Sequence, residues 1–521
     1  MLQNERSRSP ECAVEAEDIA GIAESYNKLN FSQREAVKHS AEKGLTVIWG
    51  PPGTGKTKTL SSFIHAVTKN ASYSQKSLNI LITGPTYKAV EEIIERTYRL
   101  LEGDASTNAT LSFGYSASRG SGRLELKSSG NLIYSNFSFE RHDLAYQNCL
   151  ANLFGKTGVH IVGAQIRQAR RFSSDLSPLG NNIHETFDVV IIDESSQVPV
   201  SHALSALCGL KSNGRLIVAG DNLQMPPITA IHAPEEASYL VGSIQTYLME
   251  RDFGFKISSC ILDRNYRSAS AIVEFAKCIG YPDSLNSEFP HTALNFVDIL
   301  PDKSQFPSDL PWSDAYESIL SPDHSVVALL HEDEVSSQGN QYESRLVAGM
   351  VWMLRQVIGL SLNGRGNVSR KRPTADDFWN QCVGIVTPHR AQRALVVREL
   401  EKLFPAEAEL INEAVDTVER FQGGERHCII VTYGVADVDV IAGEEAFLMQ
   451  LERTNVAVSR AMAKCIVVMP QPLAKHIPED KKTLETAHAI KDYLDEFCNV
   501  RVGCEFSDSH ETRTAQVRFH N

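Results

Sequence analysis

The sequence predicts an α/β protein made of two parallel-sheet lobes in tandem. Three observations carry this. Leu45-Thr46-Val47-Ile48 reads as a buried strand, and it runs through a glycine-rich turn into the helical stretch Lys58–Val67. Phe187-Asp188-Val189-Val190-Ile191-Ile192 is a second buried strand, with Asp193 and Glu194 at its C-terminal end. A further strand–helix series then opens at Val383.

The turn Trp49-Gly50-Pro51-Pro52-Gly53-Thr54-Gly55-Lys56-Thr57 has the composition and flanks of a phosphate-binding loop. Glycines let backbone N–H groups close around phosphate oxygens, and the helix N-terminus adds partial positive charge. Lys56 reaches β- and γ-phosphates, and the Thr57 hydroxyl is a ligand for Mg²⁺. Asp193 holds the same Mg²⁺ from the opposite side, and Glu194 is placed to activate water as general base. Gly50, Pro51, Pro52, Gly53, Thr54 and Gly55 complete the expected ATP cradle.

The remaining elements fall in order. Residues 1–28 read as an N-terminal arm, loose over 1–20. In Leu29–Val37, Asn30 or Ser32 caps a short helix. Gln33 lies just ahead of the loop, where an amide can read an adenine edge. The first lobe is expected over 29–260. Leu78–Thr86 is a strand with Pro85 and Thr86 at its ligand-facing end, and Tyr87–Leu101 is a helix. Residues 102–158, rich in Ser, Gly and Asn, read as a small inserted subdomain, partly β. Leu216–Pro227 is a strand running into a polar loop, where Gln224 can sense the γ-phosphate. The second lobe is expected over 261–475. It opens near Arg267, whose aromatic neighbour suits base stacking and phosphate contact. Residues 282–340 read as irregular, Tyr342–Ile358 as a helix and 361–376 as a basic loop. Residues 476–521 read as one helix and a polar tail.

Composition excludes several classes. The chain has 521 residues, 42% hydrophobic and 22% charged, which are ordinary soluble proportions. No apolar run approaches the ~18 residues of a membrane span, so no membrane partner is expected. The ten cysteines show no C-x-x-C pair, which argues against a zinc module and for a reducing compartment, cytoplasmic or nuclear. A net charge of −13 disfavours a protein that coats nucleic acid but permits one that grips a single strand locally.

The ordered set of motifs resembles superfamily 1 helicases, and within them the nonsense-decay helicases and their relatives. The likeness spans most of residues 29–470. Its carriers are Gln33 with its helix, Gly50–Thr57, Gly84–Val90, Asp193-Glu194-Ser195-Ser196-Gln197, Gly220–Pro227 and Asn265-Tyr266-Arg267-Ser268. Thr387-Pro388-His389-Arg390-Ala391-Gln392, Phe421-Gln422-Gly423-Gly424-Glu425 and Asn455–Ala461 follow.

The resemblance implies two RecA-like lobes with ATP hydrolysed in the cleft between them. It implies Tyr266 stacking on adenine, Glu425 on the ribose, and Lys56, Arg267 and Arg460 around the γ-phosphate. Pro85, Thr86, Pro388, His389, Arg390 and Thr417 are the implied contacts to single-stranded DNA or RNA.

Many members carry a β-barrel ahead of the first motif, which begins here at Leu29. Strand-separating parts are therefore expected to be reduced or supplied by a partner. The Asn-Tyr-Arg-Ser wording is nearer the UvrD-type 3′→5′ branch, while Gly-Pro-Pro-Gly and Pro-His-Arg-Ala-Gln favour 5′→3′, the expected polarity. The competing reading is an ATPase switch subunit of a nuclease-containing, nucleic-acid-processing or defence complex, without strand separation of its own.

Overall fold

The computed structural model describes residues 10–116, 124–140, 142–155, 157–176, 186–228, 234–253, 257, 259–421, 424–509 and 511–520. Residues 1–9 of the expected arm, and Gln422 and Gly423 of the implied ribose motif, lie outside them. The chain forms two compact units. One comprises Met1–Asn222 and Pro226–Asp263; the other comprises Leu223–Met225 and Arg264–Asn521.

The first unit contains α1 (Pro10–Asn27), α2 (Phe31–Glu42), β1 (Leu45–Trp49), α3 (Lys56–Tyr73), β2 (Leu78–Gly84) and α4 (Tyr87–Glu102). The strands β3 (Ala109–Tyr115), β4 (Leu132–Ser138), β5 (Val159–Gln165), β6 (Phe187–Ile192), β7 (Leu210–Gly220) and β8 (Ser259–Ile261) follow. The sheet order is β4-β3-β5-β2-β6-β7-β1-β8, and every pairing is parallel. Apolar clusters cover both faces, so its central strands read as continuous hydrophobic runs rather than alternating ones.

Two expectations are corrected here. Residues 10–27 are a helix rather than a loose arm. Ala16, Ile19, Ala20 and Ala23 fall at helical spacing and are buried, while Glu17 and Glu24 pair with Arg34. The alanine-based stripe gives little hydrophobic signal in sequence. The expected 102–158 subdomain instead extends the main sheet: β3 pairs with β5, and Leu111 and Phe113 have no exposed surface.

The second unit contains β9 (Arg264–Asn265), β10 (Asn286–Ser287), β11 (Val326–His331), β12 (Val383–Thr387), β13 (Val415–Thr417), β14 (Arg426–Thr432), β15 (Ala461–Pro470), β16 (Val500–Ser507) and β17 (Thr512–Phe519). Its larger sheet has the order β13-β12-β14-β15-β11-β17-β16. β13, β12, β14, β15 and β11 run parallel, while β17 and β16 join antiparallel.

Two more corrections follow. β11 lies inside the stretch expected to be irregular, yet all six of its residues are buried; its Pro-, Ser- and Asp-rich flanks hid a short apolar run. The tail, expected as one helix and a polar end, carries the β16–β17 hairpin, whose polar, half-exposed strands give a weak pattern. The helix Gln341–Val357 forms where expected, with the Asn340 side chain accepting from Glu343 N at 2.8 Å. Among the described residues no helix is long and apolar enough to cross a membrane.

Candidate nucleotide site

The phosphate loop joins β1 to α3. Gly53 and Gly55 have φ of 73° and 84°, a left-handed geometry that favours glycine. A Cβ on Gly50 would lie 2.3 Å from Lys56 Cγ. The loop is braced internally, with Thr54 Oγ1 donating to Pro51 O at 2.7 Å. Lys56 Nζ donates to Gly50 O at 2.7 Å, so the ammonium lies folded across the cradle.

Gln33 is fully buried. Its Oε1 accepts from Asn30 N at 3.2 Å in a capping box. Its Nε2 donates to Thr54 O at 2.9 Å. A Cβ on Gly55 would lie 2.7 Å from that nitrogen. Gln33 thus ties the loop to the start of α2, Nε2 holding Thr54 O while Oε1 caps its own helix. Of the two expected caps, Asn30 serves; Ser32 Oγ donates to Asp263 Oδ1 at 2.7 Å, among its bonds.

At the end of β6, Asp193 N donates to Thr83 O at 2.9 Å, continuing the pairing with β2 by one bond. Glu194 has a φ of 47°, a strained setting for a residue with a side chain. Asp193 Oδ1 and Glu194 Oε2 are buried without a hydrogen-bond partner. Burial first, then the charge of Glu194, pushes the Asp193 carboxyl up to about 7, against the pull of Lys56. Ser195 Oγ donates to Gln245 Oε1 at 2.9 Å. Gly220 is required beside them, since its Cβ would lie 2.3 Å from that oxygen. Gln245 carries no motif signal and escapes sequence reasoning.

A buried, unpartnered carboxylate held back from ionising, with a lysine nearby, fits a divalent cation. Among the described residues no three His, Cys, Asp or Glu side chains form a metal cage. Mg²⁺ usually binds through one or two carboxylates plus substrate phosphates, and Asp193 offers such a carboxylate.

The second unit gathers the remaining charges. Gln224 belongs to its short segment Leu223–Met225. Arg460 Nη2 donates to Gln224 Oε1 at 3.0 Å, and Arg460 Nε to Val456 O at 3.2 Å; both side chains are buried. Asn455 Nδ2 donates to Leu223 O at 2.6 Å, which holds the same segment. Arg267 Nε donates to Glu425 Oε2 at 2.6 Å, and Arg267 Nη1 to Ser459 O at 3.2 Å. Half-buried Tyr266 precedes Arg267.

The residues expected to touch nucleic acid divide. Pro388, His389 and Arg390 follow β12, and Thr417 ends β13; the register Thr387↔Thr417 sets them at one sheet edge. Arg390 is exposed, whereas Pro388 and Thr417 are buried. His389 packs tilted against Phe447 with ring centroids 5.3 Å apart, and burial draws its pKa down. In the first unit, exposed Thr86 caps α4 by accepting from Ala89 N at 3.2 Å, and Pro85 O accepts from Gln165 Nε2 at 2.9 Å.

Residues 33–230 match one AAA domain family and residues 243–471 another. The chain is 26% identical to the DNA polymerase alpha-associated DNA helicase A of Saccharomyces cerevisiae over 483 residues, covering 84% of this chain and 64% of that protein. It is 27% identical to the DNA-binding protein SMUBP-2 of Mus musculus, covering 93% and 46%. It is 25% identical to the ATP-dependent helicase upf1 of Schizosaccharomyces pombe, covering 86% and 45%. The chain thus spans about half to two-thirds of the length of these relatives.

The two AAA-domain matches follow one another, the first spanning the phosphate loop, and the chain resembles the superfamily 1 helicases. Within that class it resembles the nonsense-decay helicases and their relatives.

Proposed function

We propose that the protein is an ATP-dependent translocase or helicase acting on single-stranded nucleic acid in the 5′→3′ direction. The observation that carries this is the Asp193–Glu194 pair beside the phosphate loop, with Asp193 Oδ1 and Glu194 Oε2 buried and without a hydrogen-bond partner, in a chain similar to ATP-dependent helicases. Lys56 leaves Gly50 O to take the β- and γ-phosphates. Thr57 and Asp193 would hold Mg²⁺, which would supply positive charge to neutralise that developing on the phosphates. Glu194 accepts the proton of the attacking water. Arg267 and Arg460 stabilise the transferring phosphoryl group, and Gln224 reports its loss through its bond to Arg460. Tyr266 and Glu425 take the adenine and ribose. Gln33 acts first as the clamp that shapes the loop. Pro85, Thr86, Pro388, His389, Arg390 and Thr417 form the track for the strand.

A second reading is favoured by one observation: Pro388 and Thr417 are buried, which limits what a strand can reach. In that reading the protein is an ATPase switch for a nucleic-acid-processing partner such as a nuclease. Steady-state ATP turnover with no polymer, single-stranded DNA or single-stranded RNA, beside Lys56→Ala, separates the two. The translocase reading expects strong stimulation by one polymer, lost in Lys56→Ala. Turnover indifferent to both polymers sinks it and favours the switch. Unwinding of duplexes with 5′ or 3′ overhangs then tests the polarity.

A further inference from the structure

We propose that Arg365 is a positioning residue for Arg267, holding it in line for a nucleoside triphosphate; this rests on the ATP-hydrolysis reading above. No motif includes Arg365, which lies in the basic loop 361–376. Its neighbours Gly364 and Gly366 have φ of 74° and 69°. A Cβ on Gly364 would lie 2.3 Å from His291 O, so glycine alone permits this approach. The turn is thereby pressed against residues 289–292, and Arg365 points inward, half-buried.

Three contacts hold the guanidinium. Arg365 Nε donates to Thr292 Oγ1 at 3.0 Å. Its central carbon lies 4.8 Å from the centroid of the Phe289 ring. Its Nη2 donates to the backbone carbonyl of Arg267. Arg267 is therefore held at both ends: Arg365 takes its carbonyl, while Glu425 and Ser459 O take its guanidinium.

The charges point the same way. Burial, then Arg267, disfavours the charge on Arg365, while Glu425 favours it. Two arginines share one carboxylate, which leaves local positive charge suited to a polyphosphate. The planar fork of arginine makes these bonds simultaneously, and lysine cannot.

The test measures ATP turnover and fluorescent-ATP binding for the full chain and its Arg267→Ala, Arg365→Ala, Arg365→Lys and Arg267→Ala/Arg365→Ala variants. Misplacing a reacting group by an ångström costs about 10²-fold. Arg365→Ala is therefore expected to lower kcat by about 10- to 100-fold, with nucleotide affinity changed much less. Arg365→Lys should recover part of the loss, since its ammonium can still donate to one of the two oxygens that the guanidinium reaches together. The double variant should be no slower than Arg267→Ala alone, because the residues act as a unit. An Arg365→Ala kcat within about twofold of the parent, or losses that multiply in the double variant, overturns the proposal. If Arg365→Ala does not fold, Thr292→Val replaces it. It removes one anchor isosterically and should slow turnover in the parent but not in Arg267→Ala; unchanged parent turnover overturns the proposal. An unmutated chain that binds nucleotide but never hydrolyses it overturns the ATP-hydrolysis reading and this inference with it, a result distinct from failure of the Arg365 variants alone.

Discussion

The phosphate loop occupies consecutive residues Gly50–Thr57, and its internal bonds are local, such as Thr54 Oγ1 to Pro51 O. The arginine cluster is assembled from distant stretches: Gln224 and Arg460 meet across 236 positions, and Arg267 and Glu425 across 158. A contiguous loop depends on glycine φ angles and one strand–helix junction. The dispersed cluster depends on the whole second sheet holding its strand ends in register. The first is set chiefly by its own few residues, whereas the second is sensitive both to its own side chains and to changes far away in sequence.

The largest expected effect tests the dispersed side. Arg460→Ala should reduce ATP turnover by about 10³- to 10⁵-fold, the range of an arginine that stabilises phosphoryl transfer. It should also release Gln224, so Gln224→Ala added to it should cost nothing further. Single-turnover kinetics of both variants check this, and a multiplied loss would uncouple the pair.

Glu194→Gln should lower turnover by about 10²- to 10⁴-fold, the usual worth of a general base. Nucleotide binding should survive, because the phosphate loop is untouched. Equilibrium binding beside the rate decides it: loss of binding would make Glu194 part of the cradle instead.

Asp193→Asn separates stability from function. The Asp193 carboxyl has a higher pKa folded, about 7, than its ordinary 3.8. Between those values the folded state binds more protons, so this group's contribution makes stability fall as pH rises from about 4 to 7 and level off above. Asn removes the buried charge. The nucleotide-free variant should therefore melt higher than the parent at pH 8, with the difference shrinking toward pH 5, while turnover is lost. An equal or lower Tm at pH 8 would break this account of the site.

The smallest effect tests the clamp on the local side. Gln33→Ala leaves Thr54 O and Asn30 N without their amide partner, at about 1–3 kcal/mol. A modest drop in Tm with a raised KM for ATP is expected. A raised KM with unchanged Tm would instead favour direct adenine contact by Gln33.

The extremes of legibility follow the same division. Gly50–Thr57 and Phe187–Glu194 were readable because glycine geometry, β-branched runs and terminal carboxylates are properties of adjacent residues. The helix Gln341–Val357 was readable from its period. β11 was not: five apolar residues and His331, between Pro- and Ser-rich flanks, become a strand through pairing with β15 and β17. The arm 10–27 became a helix because Ala16, Ile19, Ala20 and Ala23 found a surface to cover, a gain that alanine does not advertise. Arg365 had no legible role, since its partners lie 73 and 98 positions away.

The sequence by itself determined the two α/β series, the phosphate loop and the acidic strand end, because each is dictated by short-range backbone preference and local burial pattern. Tertiary structure alone decided that Gln33 clamps the loop, that Arg460 meets Gln224, and that Arg365 grips the carbonyl of Arg267. Those are meetings of distant side chains, and only sheet order and register bring them within hydrogen-bond reach.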